Sequence, residues 1–364
     1  MLKSDVPGPA QSVFIAALLL FAASIGWAVS GVREAYHPED LITYRPIQVP
    51  EDGYTSSDTC KACHPSQYET WHSSFHRTMT QVATPQTVRA TFDGRRVADV
   101  YGRPMALERR GNELWAEFDD PDWDGPDAQR PRVKRQVVMV TGSHYQQAYW
   151  YRTDHGRLLG QLPAMYLIAE RRWIPRVSAF LVPPVEQPGS ETGRWNAVCV
   201  KCHATHGKPR FDTPVGSRPI ETQVIDTRVT EFGIACEACH GPAEQHARLN
   251  RNPARRYAFY WNDRRDPTIV QPALLNPKLS SHVCGQCHGV WDYLDAAGER
   301  QANEAGLPYR PGDDLRTTRF LAQPAENSNS PRRLLFRGIG TYGEKHPGSR
   351  PPCDGARNQG NPQT

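Results

Sequence analysis

Eight of the chain's nine cysteines fall into four pairs, and each pair is followed at once by histidine. The segments are Cys60-Lys-Ala-Cys63-His64, Cys199-Val-Lys-Cys202-His203, Cys236-Glu-Ala-Cys239-His240 and Cys284-Gly-Gln-Cys287-His288. Two thiols three positions apart lie on neighbouring points of one helical turn. There they can form thioethers to the two vinyl groups on one porphyrin edge, and the adjacent imidazole reaches the iron from the same side. Composition alone gives on the order of 0.01 such matches in a chain like this, so four are not accidental. Two other chemistries compete for paired cysteines: all-cysteine zinc sites and small redox-active disulfide rings. Neither explains a histidine after every second cysteine. Four c-type haems with their iron are the expected cofactors, with His64, His203, His240 and His288 as proximal ligands.

Haem iron takes two axial ligands unless a position is kept open for substrate. Nine histidines remain to supply the second: His37, His72, His76, His144, His155, His206, His246, His282 and His346. On one continuous helix His64 and His76 would stand ~18 Å apart along the axis, too far to clamp one iron. His246, with ~9 Å of rise from His240, meets the same objection. Local histidines should therefore be exchanged between haems, which interlocks the segments and brings haem edges together. His76 and His246 are the favoured distal ligands and His144 the next candidate. His72, His206 and His282 are weaker ones. His37, His155 and His346 read as surface residues.

Elements must place these residues. After His64, Tyr68, Trp71, Phe75 and Met79 recur at helical spacing, which predicts an amphipathic helix with Pro65 in its first turn. Short strand patterns follow from Val88. Thr91-Phe92-Asp93-Gly94 carries a hairpin turn signal, and two strands flank Gly111-Asn112. Residues 135–140, 148–152 and 158–167 read as further strands. From Trp195 the chain reads as short helices and long loops. The expected fold is mixed, mostly α and irregular around four haems, with a small antiparallel β insertion between haem 1 and haem 2. The expected division is a signal peptide or membrane anchor (1–36), a haem 1 segment (37–87), the β-rich insertion (88–190), a three-haem segment (191–322) and a disordered tail (323–364). Cys353, in that tail, reads as an incidental thiol.

The bulk composition fits a cofactor-held chain. Of 364 residues only 38% are apolar, with 28 Gly and 32 Pro. Loop-rich chains of this kind need staples beyond a hydrophobic core. A net charge of +4 excludes a strongly basic nucleic-acid binder. Lys3 precedes an uncharged, largely apolar run, and Ala28-Val29-Ser30 offers small residues where a signal peptidase would cut. That run is long for a secretory core and short for a spanning helix. It predicts export to a periplasmic or other extracytoplasmic site, with residues 12–30 as a candidate anchor in the cytoplasmic membrane.

The pattern Cys60-x2-Cys63-His64-x3-Tyr68-x2-Trp71-x2-Ser74-x-His76 resembles the first haem motif of the tetrahaem cytochromes c of the five-five-four type. Cys236 through His240-Gly241-Pro242 to His246 resembles that family's CxxCHGPG motif with its trailing histidine. Val140 through His144, Gln161 to Pro163 and Arg172-Trp173 resemble the intervening segment of larger bacterial relatives. The resemblance covers about residues 55–295. It implies that the distal histidine of one haem comes from the segment of another, which supports His76 and His246 and lends some help to His144. Ala243 stands where the family has a second Gly, and the C-terminal stretch matches nothing in it.

The expected function is single-electron transfer through covalently bound haems. Redox proteins or a quinol-linked membrane complex are the expected partners, and nucleic acid is not. The alternative is a haem oxidoreductase acting on a small nitrogen or sulfur compound at a five-coordinate haem. The absence of any CxxCK variant removes one hint of a dedicated catalytic haem.

Overall fold

The computed structural model describes residues 9–35, 38–98, 102–123, 125–179, 193–212, 223, 225–262 and 264–322. His37, His346, Cys353 and the tail from residue 323 lie outside them. The chain forms two units, residues 1–42 and 43–364. In the first, one helix spans Pro9–Ala35 and leaves Val13, Phe14, Leu19, Leu20 and Phe21 exposed. No helix among the described residues is long and apolar enough to cross a membrane.

The second unit is built on a nine-stranded antiparallel sheet. Its strands are β1 (Thr80–Val82), β2 (Asp93–Ala98), β3 (Pro104–Arg110), β4 (Glu113–Asp119), β5 (Arg132–Thr141), β6 (Gln146–Arg152), β7 (Leu159–Gln161), β8 (Ala164–Leu167) and β9 (Arg172–Pro175). The main path runs β9-β8-β6-β5-β4-β3-β2, with β1 on β5 and β7 on β6. Period-two alternation fixes the register. Leu114, Ala116 and Phe118 of β4 turn inward, as do Met105 and Leu107 of β3. With Phe92, Val137, Val140, Tyr149, Tyr151 and Leu162 they form one core. A register shift between Val137 and Met139 breaks the alternation, so that Val138 and Met139 both face away from the first core while Val140 returns to it. On the opposite face Val138, Met139 and Trp150 join Trp195, Val200, Ala204, Val229 and Phe232 in a second core. That core seats the second CxxCH segment on the sheet.

This corrects the expected fold: the largest element is the sheet, not a set of helices with a small β insertion. Two local expectations also change. Asp93-Gly94 makes no hairpin turn but opens β2, at a register shift against β3, with Gly94 at φ +82°. A Gly in that region of φ is what such a bulge requires. The predicted helix after His64 stops early. It covers Pro65–His72, and a separate 3-10 turn covers Arg77–Met79. Ser73 and Ser74 explain the break, because their hydroxyls bond the local backbone, Ser73 Oγ to Thr70 O and Ser74 Oγ from Arg77 N. Such bonds compete with helix continuation.

The segments bearing the motifs are short. Helices run Ser57–Lys61, Val200–His203, Cys236–His240 and Pro277–His288. Asn276 caps the last, accepting from Leu279 N at 2.9 Å, with Pro277 tolerated at its first position.

Candidate functional site

Each CxxCH lies on a helical turn. In the first motif Cys63 N and His64 N both donate to Cys60 O, at 3.1 and 2.8 Å. Motifs 3 and 4 sit within the short helices named above, and in motif 2 Cys199 caps the helix Val200–His203, so both thiols and the following imidazole project from one turn. Among the described residues no three His, Cys, Asp or Glu side chains gather where they could hold a metal ion. The described cysteines do not form the four-thiolate sets that zinc would need.

The motifs meet in two seams. The Cys60 thiol is hydrogen-bonded to Cys236, which pulls Cys236 down to about 7 and pushes Cys60 up. The Cys202 and Cys287 thiols pair in the same way, with Cys202 lowered to about 7. Motif 1 thus abuts motif 3, and motif 2 abuts motif 4. Gln286 Nε2 donates to Ala238 O at 2.8 Å and joins motif 4 to motif 3.

Backbone clamps hold the first seam. Glu237, inside motif 3 and 1% exposed, accepts from Thr55 N at 2.9 Å and from Ala243 N at 2.7 Å. Burial raises its pKa to about 8, against the pull of those amides. Glu231 accepts from Ser57 N at 3.0 Å. Trp71 Nε1 donates to Ile234 O at 2.8 Å, and Ile234 N donates to His76 O at 2.9 Å. The break in the predicted helix therefore lets His76 lie against the strand leading into motif 3.

Two proximal histidines face a second imidazole. The His64 and His246 ring centres stand 6.3 Å apart with planes 21° apart. The His288 and His76 centres also stand 6.3 Å apart, with planes at 85°. An iron bound by two imidazole nitrogens at about 2 Å each, with each ring centre about 1.1 Å behind its nitrogen, sets ring centres roughly 6.2 Å apart. The residues present fit a six-coordinate haem iron at both places. Burial first, and then the neighbouring imidazoles, lowers the pKa of His64 and of His76. Neutral imidazole is the ligating form.

Orienting partners accompany these rings. His246 Nδ1 lies 3.2 Å from Asp266 Oδ2. Burial works against Asp266, but bonds from Thr268 and Asn250 hold it well below the usual carboxylate range. His240 Nδ1 sits 2.7 Å from Val270 O. Such contacts fix a ring so that its other nitrogen faces the metal.

The other histidines go elsewhere. His144 is exposed and stacks on Phe75 at 4.1 Å and Tyr145 at 3.9 Å, opposite no proximal histidine. His72 stacks on Tyr68. His206 stacks on Tyr54 at 4.2 Å, with Nε2 3.0 Å from Asp52 Oδ2. His282 Nδ1 accepts from Leu315 N at 3.1 Å. His155 sits in the turn after β6, its backbone N bonded to Thr153 Oγ1. Among the described residues no histidine ring faces His203 or His240 as His246 faces His64. Glu237, Asp266 and Arg319 escaped the sequence reading because no spacing marks them. Only the position of Glu237 between two motif cysteines offered a signal.

Four CxxCH segments and two facing imidazole pairs are an arrangement able to hold covalently attached haem iron. A family model described as "Cytochrome c554 and c-prime" matches residues 59–98, the stretch from the first motif to the end of β2. Two solved structures are similar over much of this chain. One is the outer cell wall cytochrome OcwA, at 18% identity and TM-score 0.43, with 74% of this chain and 45% of that one covered. The other is the undecahaem cytochrome from the S-layer of Carboxydothermus ferrireducens, at 18% identity and TM-score 0.35, with 66% and 26% covered. The chain thus spans less than half the length of either. No curated protein matches it.

Proposed function

We propose that the chain is an exported tetrahaem electron carrier with one haem at each CxxCH segment. Haem supplies reversible one-electron exchange at iron. The protein holds each group by two thiols and one proximal imidazole, closes two irons with second imidazoles, and packs the four in the order motif 1, 3, 4, 2. The observation that carries the reading is the repeated 6.3 Å separation of facing imidazoles. On this reading His246 closes the haem of Cys60/Cys63 and His76 closes the haem of Cys284/Cys287. Single-electron redox proteins or a quinol-linked membrane complex are the partners proposed. Residues 12–30 are proposed as the export signal or anchor, since c-type haem is attached outside the cytoplasm.

A second reading has one observation in its favour. His203 and His240 face no histidine among the described residues, and an iron left five-coordinate at either could act on a small nitrogen or sulfur compound.

The test is spectroscopic. Mature protein should give four haems per chain by pyridine haemochrome. His76→Ala and His246→Ala should each convert one low-spin ferric haem to high-spin. Fewer than four haems, or unchanged spin states in both variants, would sink the assignment. A native high-spin signal that shifts with nitrite, hydroxylamine or carbon monoxide would favour the catalytic reading.

A further inference from the structure

The two seams carry different fixed charge. Between motifs 2 and 4 lies Arg319, a large side chain only 2% exposed. Its Nη1 donates to Gln286 O at 2.7 Å, inside the Cys284–Cys287 segment. Its guanidinium lies over Trp291 at 4.4 Å and faces Tyr309 at 5.7 Å. Its Nε is buried without a hydrogen-bond partner. Among the described residues no carboxylate pairs with it, and the groups that act on it electrostatically are Cys287, Cys202, Tyr309 and Tyr293. Lys201, between Cys199 and Cys202, adds a second cation, 4.6 Å over Tyr293.

Guanidinium stays protonated in proteins even when burial lowers its pKa. A buried, unpaired cation is costly and is kept only where something offsets it. Between motifs 1 and 3 the counterpart of Lys201, Lys61, is exposed, 5.1 Å over Tyr68, and the sequestered ionisable groups are carboxyls, the buried Glu237 and the half-buried Glu231, with Arg77 in range of Glu231. These can shed their charge by taking a proton. Arg319 cannot.

Reduction of ferric to ferrous haem adds one electron and lowers the local charge by one. A fixed cation beside that haem favours the ferrous state, through a medium that screens weakly. Resting on the tetrahaem reading, we propose that Arg319 raises the potentials of the haems at motifs 2 and 4 above those at motifs 1 and 3. The carrier then has a direction. A haem held at motif 1 or 3 would take one electron from a donor, which is thereby oxidised, and would pass it to a haem held at motif 4 or 2, returning to the ferric state while the second becomes ferrous.

The test is a potentiometric titration of full-length holoprotein, followed in the visible α-band, for wild type, Arg319→Met, Arg319→Lys and Lys201→Gln. Haem content is counted on every sample. The step that changes in His76→Ala identifies the haem of Cys284/Cys287. Arg319→Met should lower at least one of the two uppermost potentials by about 59 mV or more, a tenfold change for one electron, and move the lower two less. Arg319→Lys should restore most of that shift. Lys201→Gln should lower the same steps by a smaller amount. If Arg319→Met fails to mature with four haems, Arg319→Lys and Lys201→Gln decide. Unmoved upper steps in Lys201→Gln, with upper steps in Arg319→Lys no higher than the lower pair, would overturn the inference. So would four full haems in Arg319→Met with unmoved or uniformly shifted potentials. Fewer than four haems in wild type would instead sink the underlying reading.

Discussion

Strands β3 to β6 and the stretch from Cys236 to residue 322 bury their chains by different means. The strands contribute Met105, Leu107, Leu114, Phe118, Val140, Tyr149, Trp150 and Tyr151, all under 4% exposed. In the later stretch the buried apolar residues are Ala243, Val283, Ala302, Tyr309 and Leu315. Fully burying a Leu- or Phe-sized side chain contributes roughly 1.5–3 kcal/mol, whereas a hydrogen bond contributes a net ~0.5–1.5 kcal/mol. The sheet can stand on its own core. The motif segments lean on caps, carboxylate clamps and stacked rings, and these do not supply the apolar volume that four porphyrins would. On the tetrahaem reading proposed above, the lesson is a division of labour: the sheet is a foundation, and the motif region is a shell for its cofactors to complete.

The largest expected effect breaks that comparison most directly. Protein made without haem attachment should keep amide protection in β3 to β6. Residues 236–288 should exchange nearly freely, because local stability can fall towards zero where few apolar contacts remain. Hydrogen exchange read by mass spectrometry checks this. Equal protection in both regions would show that the motif segments fold without their cofactors.

A smaller effect probes the foundation. Leu107 is fully buried in the first core. Leu107→Ala should cost about 2–5 kcal/mol through lost burial and the cavity left behind. In denaturant unfolding the sheet's circular dichroism transition should move to lower concentration. The haem absorption transition should follow only where the second core joins them, through Trp150, Val200 and Ala204. If the haem bands were lost well before the sheet signal, the cores would be uncoupled and the foundation reading would fail.

What was legible in the sequence tracks the same division. The alternation on either side of Gly111-Asn112 reads directly, since Leu114, Ala116 and Phe118 point one way. The extent of the sheet did not read. The bulge at Val137–Met139 buries five successive positions from Val137 to Thr141 and erases the period there. β1 begins directly after a stretch whose Tyr68, Trp71, Phe75 and Met79 carry helical spacing. The CxxCH segments stand out in the sequence because thioether attachment would dictate that spacing. Rise along a helix nominated His76 and His246, but which proximal imidazole each one faces depends on contacts such as Ile234 N to His76 O that no local pattern encodes. Arg319 lies 31 residues beyond His288 in a strand of three residues, and its burial comes entirely from folding.

The smallest effect concerns acid. His206 belongs to the motif region, its side chain 3% exposed, stacked on Tyr54 and facing Asp52. Burial is the leading influence on it and lowers its pKa, with Asp52 opposing. In the unfolded chain the imidazole takes its proton near 6.5. In the fold it resists protonation until a lower pH. The unfolded state therefore binds more protons once pH drops below 6.5, and stability is lost from there downward, at no more than about 1.4 kcal/mol per pH unit for one proton. Asp52 has the depressed pKa of a paired carboxylate, about 2, set first by Lys208 and then by His206. Its stabilisation is present above 3.8 and is lost only below that, in a separate window. The sheet has no equivalent, since His144 and His155 are not buried among the strands. Acid between pH 6.5 and 4 should therefore withdraw the contribution of His206 from the motif region, against the opposite trend of Glu237, whose raised pKa makes the fold hold a proton that the unfolded chain has shed. His206→Phe keeps an aromatic ring on Tyr54 and removes the titration, so relative to wild type it should gain stability as pH falls over that interval and leave the fall below pH 3.8 in place. Melting curves of both proteins across pH, read in the haem bands and in the far ultraviolet, check this. A variant whose pH dependence over that interval matched wild type would place this acid sensitivity elsewhere than in this ring.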